Sequence, residues 1–527
     1  MKKSILITIA LMAAVSCSDF GDLNQDPTKS TDMDPNIILP NLQMMLTNDY
    51  QEWHRHFMYP GGFVQQWCGD WATTEYGCLA IKNDSYMAEL WLQRYTRMAK
   101  GLADIVDRTE GDAARRNINA IGRIMRVYTY AQLTDMYGDI PYFDAGEGYY
   151  KGELKPKYDL QQDIYADFFK QLDLAAEQLA DGTDVITYDQ YFGGDAGKWR
   201  KYANSLHLRL ALRLVKVDPE TARAEARKAI EGGVMESNAD LCMIKYENVA
   251  NPSEGPGRGN ALSNRLAADP RNFRYSRRVV SYMEQTRDPR LRIFAASYFN
   301  DNPDIDITDQ VYAAVGSYAA MSRPTDRFDW ENYEDPTAPD ASIFLEIDGV
   351  SQEVTPRMQY LQPSKYFYAY DAPYLNMGYA EVELLLAEAA ARWGLGTGTA
   401  AEHFEKALRA SVEQMTIYGA PAASESAIQA FIDANPLSDA TALEQINMQL
   451  WVGFLYNPFE AFANWRRTGI PEIVFLNRDP ARNQSGGKTP RRLLYPVEEQ
   501  VKNPDHYYEA IGRVSGYDWT TGVWWDK

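Results

Sequence analysis

The chain has 527 residues, with 53 Lys and Arg against 73 Asp and Glu, a net charge of −20. That balance excludes nucleic acid as a partner, because phosphate binding needs a basic face. The length and a hydrophobic content of 45% allow one large or two moderate domains with a substantial core. No run after the first approaches the roughly 20 apolar residues of a membrane span.

The first element is a leader. Lys2 and Lys3 precede a short apolar run that ends in small residues at Ala14-Val15-Ser16-Cys17, the pattern of a secretory signal. The last four residues resemble a bacterial lipobox, which predicts removal of residues 1–16 and acylation of Cys17. Several acyl chains anchor stably, at roughly 0.8 kcal/mol per buried methylene. The alternative is an ordinary signal peptide that happens to end near a cysteine. Residues 17–35 are polar and turn-rich and read as a tether.

From residue 36 onward the apolar spacing is helical. Helices are expected over residues 36–49, 84–107, 117–137, 160–179, 198–217 and 220–230. A further set is expected over 376–393, 399–417, 424–434 and 443–464. Gly138 stops the third helix and Asp218-Pro219 separates the fifth from the sixth. Paired helices with short turns predict stacked hairpins, although no clean 34-residue period is visible. Residues 234–375 break the pattern, being rich in Pro, Gly, Asn, Asp and Tyr with helical islands such as 275–285. They read as an ordered, irregular insert in a single domain spanning 36–527, and such inserts carry binding residues.

Enzyme signatures are sparse. There is no GxSxG and no HExxH, and only five histidines. In His54-Arg55-His56 the two imidazoles point to different faces of a helix, so no metal is expected. Gly394-Leu395-Gly396-Thr397-Gly398 follows a helix rather than a strand, which makes it a helix–helix turn and not a phosphate loop. No cofactor is implied. Cys68 and Cys78 are open to either a bridge or burial as thiols.

Two aromatic clusters carry the candidate chemistry. The first holds Trp53, Tyr59, Phe63, Trp67, Trp71 and Tyr76, with Asp70 among them. The second, in the insert, holds Tyr312, Tyr318, Arg327, Trp330 and Tyr333. Flat rings stack on sugar faces while neighbouring carboxylates and amides take the hydroxyls. The competing reading makes Trp67 and Trp71, four apart, a helical core stripe. The ligand-binding candidates are Trp67, Asp70, Trp71, Tyr76, Arg327, Trp330 and Tyr333.

Several segments share a further pattern. They are Lys198-Trp199-Arg200-Lys201-Tyr202-Ala203-Asn204 onward, Arg126 through Gly138-Asp139-Ile140-Pro141, and Tyr379 through Glu388-Ala389. Trp465-Arg466-Arg467-Thr468-Gly469, Arg491-Arg492-Leu493-Leu494-Tyr495-Pro496 and the terminal Val523-Trp524-Trp525 complete the set. Together they resemble the SusD/RagB family of outer-membrane lipoproteins, over essentially the whole chain. The resemblance implies an all-α fold of tetratricopeptide-like hairpins that supports irregular, loop-rich inserts. It implies a lipid-anchored protein facing the cell exterior, partnered with a SusC-type TonB-dependent transporter. The expected role is capture of an oligomeric nutrient, an oligosaccharide or alternatively an oligopeptide, without catalysis. A surface glycosidase, and a scaffold that binds only the transporter, are the rival readings. Arg466 and Arg467 are expected to pair with carboxylates and helix ends rather than with ligand.

Overall fold

The structure, a computed structural model, describes residues 33–49, 51–69, 73–251, 257–322, 341–473 and 480–527. The leader, Cys17, Asp70, Trp71, Arg327, Trp330 and Tyr333 lie outside the described residues.

Helix α1 runs Pro35–Thr47, α2 Asp84–Gln93 and α3 Ala99–Thr109, the last two joined by a π-helical stretch at Arg94–Met98. Then follow α4 (Arg116–Tyr137), α5 (Gln161–Asp181), α6 (Ala196–Arg213) and α7 (Pro219–Gly232). After the insert come α8 (Tyr379–Trp393), α9 (Ala400–Glu413), α10 (Glu425–Ala434), α11 (Ala442–Gly453) and α12 (Pro458–Thr468). Helix α4 packs on α5, α5 on α6, and α6 on α7. A second series packs α8 on α9 and α11, and α11 on α12, and α6 meets α8 between the two. The fold is all-α in class, and no helix among the described residues is long and apolar enough to cross a membrane.

The helix ends follow from local chemistry. Asp195 accepts a hydrogen bond from the Lys198 amide to cap α6. Asp218 does the same for Thr221, and Pro219 opens α7 with its preset φ. Gly394 ends α8 in the left-handed region (φ 63°), and Thr399 with Glu402 forms a capping box for α9. The glycine-rich stretch between them is therefore a helix–helix turn. One expectation fails: the single helix over 443–464 is two. The break falls at Asn457-Pro458, where proline has no N–H to donate and disfavours helical geometry in the residue before it.

The insert is ordered where described. Its ends are tied by the strand Cys242–Ile244 pairing antiparallel with the strand Tyr374–Met377. Between them lie helices Ala261–Ala268, Arg277–Gln285 and Thr308–Val315. A hairpin of the strands Ile343–Ile347 and Val350–Val354 turns at Asp348-Gly349, both at positive φ as a type I′ turn requires.

Buried charge joins the helices. Arg213 of α6 bridges Glu460 of α12 at 2.6 Å and Asp135 of α4 at 3.2 Å. Arg209 of α6 reaches Glu381 of α8 at 2.6 Å. Arg467 donates to both Glu388 oxygens at 2.7 Å, and Arg466 donates to the carbonyls of Asp135 and Arg491. The two arginines bind carboxylate and backbone, as the sequence implied. The Trp525 indole donates to Asp135 at 2.9 Å, which seats the C-terminus on the same network.

Candidate functional site

The strand Trp67–Cys68 pairs with the strand Arg274–Tyr275, so Trp67 sits in a strand and not on a helix. Trp67 is 0% exposed. Its ring centroid lies 4.6 Å from those of Phe57 and Tyr275, and its Nε1 donates to the Leu455 carbonyl at 2.8 Å. This corrects the expectation of a stacking platform at Trp67: neighbouring rings and the Leu455 carbonyl take the surface a ligand would need. Cys68 and Cys78 are both buried thiols, with their sulfurs against the carbonyls of Arg274 and Trp67.

Tyr76 has a different setting. It lies on the π-helical turn Thr73–Cys78, which packs against the π-helix His54–Gly61. The approach needs two glycines: a Cβ on Gly62 would lie 2.7 Å from Gly77 Cα. Tyr76 is half-buried and meets Tyr86 edge-on at 5.0 Å. Tyr86, also half-buried, lies 4.7 Å from His54, which lies 4.0 Å from Trp53. The Arg265 guanidinium caps Trp53 at 4.6 Å from its ring.

Charged groups rim these rings. Glu75 pairs with Arg482, Arg265 with Asp269 at 3.0 Å, and His54 stands 3.9 Å from Glu89. Burial lowers the His54 pKa, so its ring is neutral at pH 7. Burial raises the hydroxyl pKa of Tyr76 and Tyr86, which keeps both as donors. The result is a face of tyrosine edges between acidic and basic side chains. It can pack on an apolar ring and exchange hydrogen bonds with hydroxyls.

The second cluster shares an anchor with the first. At the start of helix Arg277–Gln285, Arg277 donates to the carbonyls of Ala319 and Ser322 at 3.1 Å. The adjacent Arg278 donates to Gln65 Oε1 at 3.1 Å and to the Glu472 carbonyl. Two neighbouring guanidinium groups thus hold the chain beside Trp67 and the chain leading into residue 323. The rings of Tyr312 and Tyr318 lie 4.4 Å apart at a 34° tilt near this anchor, where Glu284 accepts from the amides of Tyr318 and Ala319. Of the expected site residues, only Tyr76 is described at a partly open face.

Tyr86, His54 and Arg265 surround Tyr76 only in the folded chain. They come from three separate segments, and only His54 carried a local signal, as half of the His-Arg-His motif.

Comparison with known proteins gives a consistent result. The model of a family described as SusD-like, starch-binding and associating with the outer membrane, matches residues 27–496. No curated protein matches the chain. Among solved structures, a chitin-binding protein is 36% identical, with a TM-score of 0.79 over 94% of this chain and 100% of its own. A Bacteroidetes AC2a SusD-like protein is 30% identical, with a TM-score of 0.83 over the same shares. A SusD homologue from Bacteroides uniformis shares the fold at 22% identity and a TM-score of 0.74, again over 94% and 100%.

Proposed function

The chain belongs to the SusD-like family, and on that premise we propose that it is an outer-membrane lipoprotein that captures an oligosaccharide at the cell surface. It binds without catalysis and passes its ligand to a SusC-type TonB-dependent transporter. Cys17 carries the lipid. The observation that carries the reading is the Tyr76–Tyr86 face, two half-buried rings beside the Glu75–Arg482 pair. The 36% identical chitin-binding protein selects the first ligand to test, an oligomer of N-acetylglucosamine.

Titration of the purified chain with chitin oligosaccharides, malto-oligosaccharides and peptides tests this. Saturable binding of a glycan is expected. Tyr76→Ala and Tyr86→Ala each weaken it roughly 2- to 10-fold, since a ring contact contributes about 0.5–1.5 kcal/mol, and lower the unfolding midpoint far less than loss of a fully buried ring does. A peptide that binds while every glycan stays silent would replace the substrate class and keep the capture role.

Anchoring is tested separately. Cys17→Ala moves the protein from the membrane fraction to the soluble fraction, because the acyl chains supply the bilayer affinity. Retention of the variant in the membrane fraction rejects the lipid attachment.

A further inference from the structure

We propose that the cavity bounded by α8, α9, α11 and the segment before α8 is a second ligand site, separate from the tyrosine face. It takes one neutral, hydroxyl- or amide-bearing molecule no larger than a monosaccharide. The inference does not depend on the proposed capture role.

Two neighbouring cavities of about 40 and 50 Å³ share Arg290, Leu375, Gln414, Gly453 and Asn457 in their walls, and the proposed site joins them as two lobes. Leu384, Leu408 and Leu450 make the first lobe aliphatic. Phe294, Phe367 and Tyr418 make the second aromatic, with Phe367 stacked on Tyr456 at 4.1 Å. Three buried amides line these walls: Asn376 is 1% exposed, Gln414 7% and Asn457 6%. Both amide atoms of Asn376, Oε1 of Gln414 and Oδ1 of Asn457 have no hydrogen-bond partner among the described residues. Buried polar groups are paired in more than nine cases in ten. Four unpaired atoms around these cavities therefore call for a polar partner that the described residues do not supply.

The charges select its class. Arg290 is spent on Asp288, at 2.9 and 3.1 Å, and on Gln449 at 2.7 Å. Glu381, on the opposite wall, is spent on Arg209 at 2.6 and 2.8 Å. With both charges neutralised, neither an anion nor a cation is favoured. Amides that offer both donors and acceptors fit hydroxyls and amides instead.

Size and access follow from two glycines. A Cβ on Gly378 would come within 2.9 Å of Gln414 Oε1, so glycine keeps the space beside that acceptor open. Gly453 is exposed, and a Cβ there would meet nothing within 4 Å. It marks the mouth. The two lobes together correspond to about six water molecules, which sets a hexose as the upper limit.

The test is calorimetric titration of the full chain with glucose and with xylose, paired with crystals soaked in each. One equivalent of at least one sugar is expected, with density between Asn376 and Gln414. Gly453→Trp closes the mouth and lowers that affinity at least tenfold, and Tyr76→Ala leaves it unchanged. Gln414→Leu removes an acceptor at the junction and weakens binding several-fold, which keeps the test open if the tryptophan variant does not fold. Three results overturn the proposal: no binding of either sugar at millimolar concentration, density for water alone after soaking, or loss of monosaccharide binding in Tyr76→Ala. Oligosaccharide capture that survives Gly453→Trp separates this site from the tyrosine face.

Discussion

Glu388→Gln lowers the unfolding free energy by about 3–5 kcal/mol, the usual cost of breaking a buried ion pair from one side. Glu388 is 0% exposed and receives both Arg467 nitrogens and Arg392 at 2.7 Å. Glutamine keeps the shape but removes the charge, leaving Arg467 buried against the neutral amides of Asn447 and Asn464. Denaturant titration at neutral pH reads the loss as a lower midpoint with an unchanged slope. A change below about 1 kcal/mol would mean that water reaches the pair.

The same carboxylate sets a pH dependence. Burial pushes the Glu388 pKa up, but Arg467 and Arg392 outweigh it and hold the group at about 2 against an ordinary 4.5. A depressed folded pKa stabilises the fold above pH 4.5. That contribution, about 3 kcal/mol, disappears as the pH falls from 4.5 towards 2. Glu52 is likewise held at about 2, against burial, by Arg55 and His56. The wild-type chain therefore loses stability steeply on the acid side, and Glu388→Gln loses less over the same interval. Parallel acid curves for the two proteins would reject the assignment.

Trp67→Ala lowers stability by about 3–5 kcal/mol, as other large-to-small core changes do, and leaves ligand affinity of the folded protein unchanged. The ring fills space between Phe57, Tyr275 and Tyr456, and its N–H satisfies the Leu455 carbonyl. Removing it leaves both a cavity and an unpaired acceptor. Chemical denaturation and glycan titration on one preparation separate the two effects. Weakened binding with unchanged stability would return Trp67 to the ligand surface. Tyr76→Ala is expected to behave in the opposite way, so the pair of variants distinguishes core ring from ligand-facing ring within one segment.

Much of the helical frame was legible. Asp195, Asp218, Thr399 and Gly394 act on their own neighbours, so the ends of α6, α7, α8 and α9 could be read within a few residues. The break at Pro458 carried an equally local signal, yet the apolar spacing on either side ran across it. The role of Arg466 and Arg467 was anticipated, though their partners Asp135 and Glu388 lie 331 and 79 residues away.

The aromatic cluster was less legible, because ring content does not say which way a ring faces. Trp67 is buried by Tyr275 and by the Leu455 carbonyl, 388 residues distant. Tyr76 reaches the surface beside Tyr86 and Arg482. Sequence by itself determined the helical class, the local caps, the acidic balance and the family pattern. Tertiary structure alone decided which aromatic rings are core, which face outward, and where unpaired amides line a cavity. Helix capping and periodicity act over a few residues, whereas burial is set by whatever the rest of the chain packs against each face.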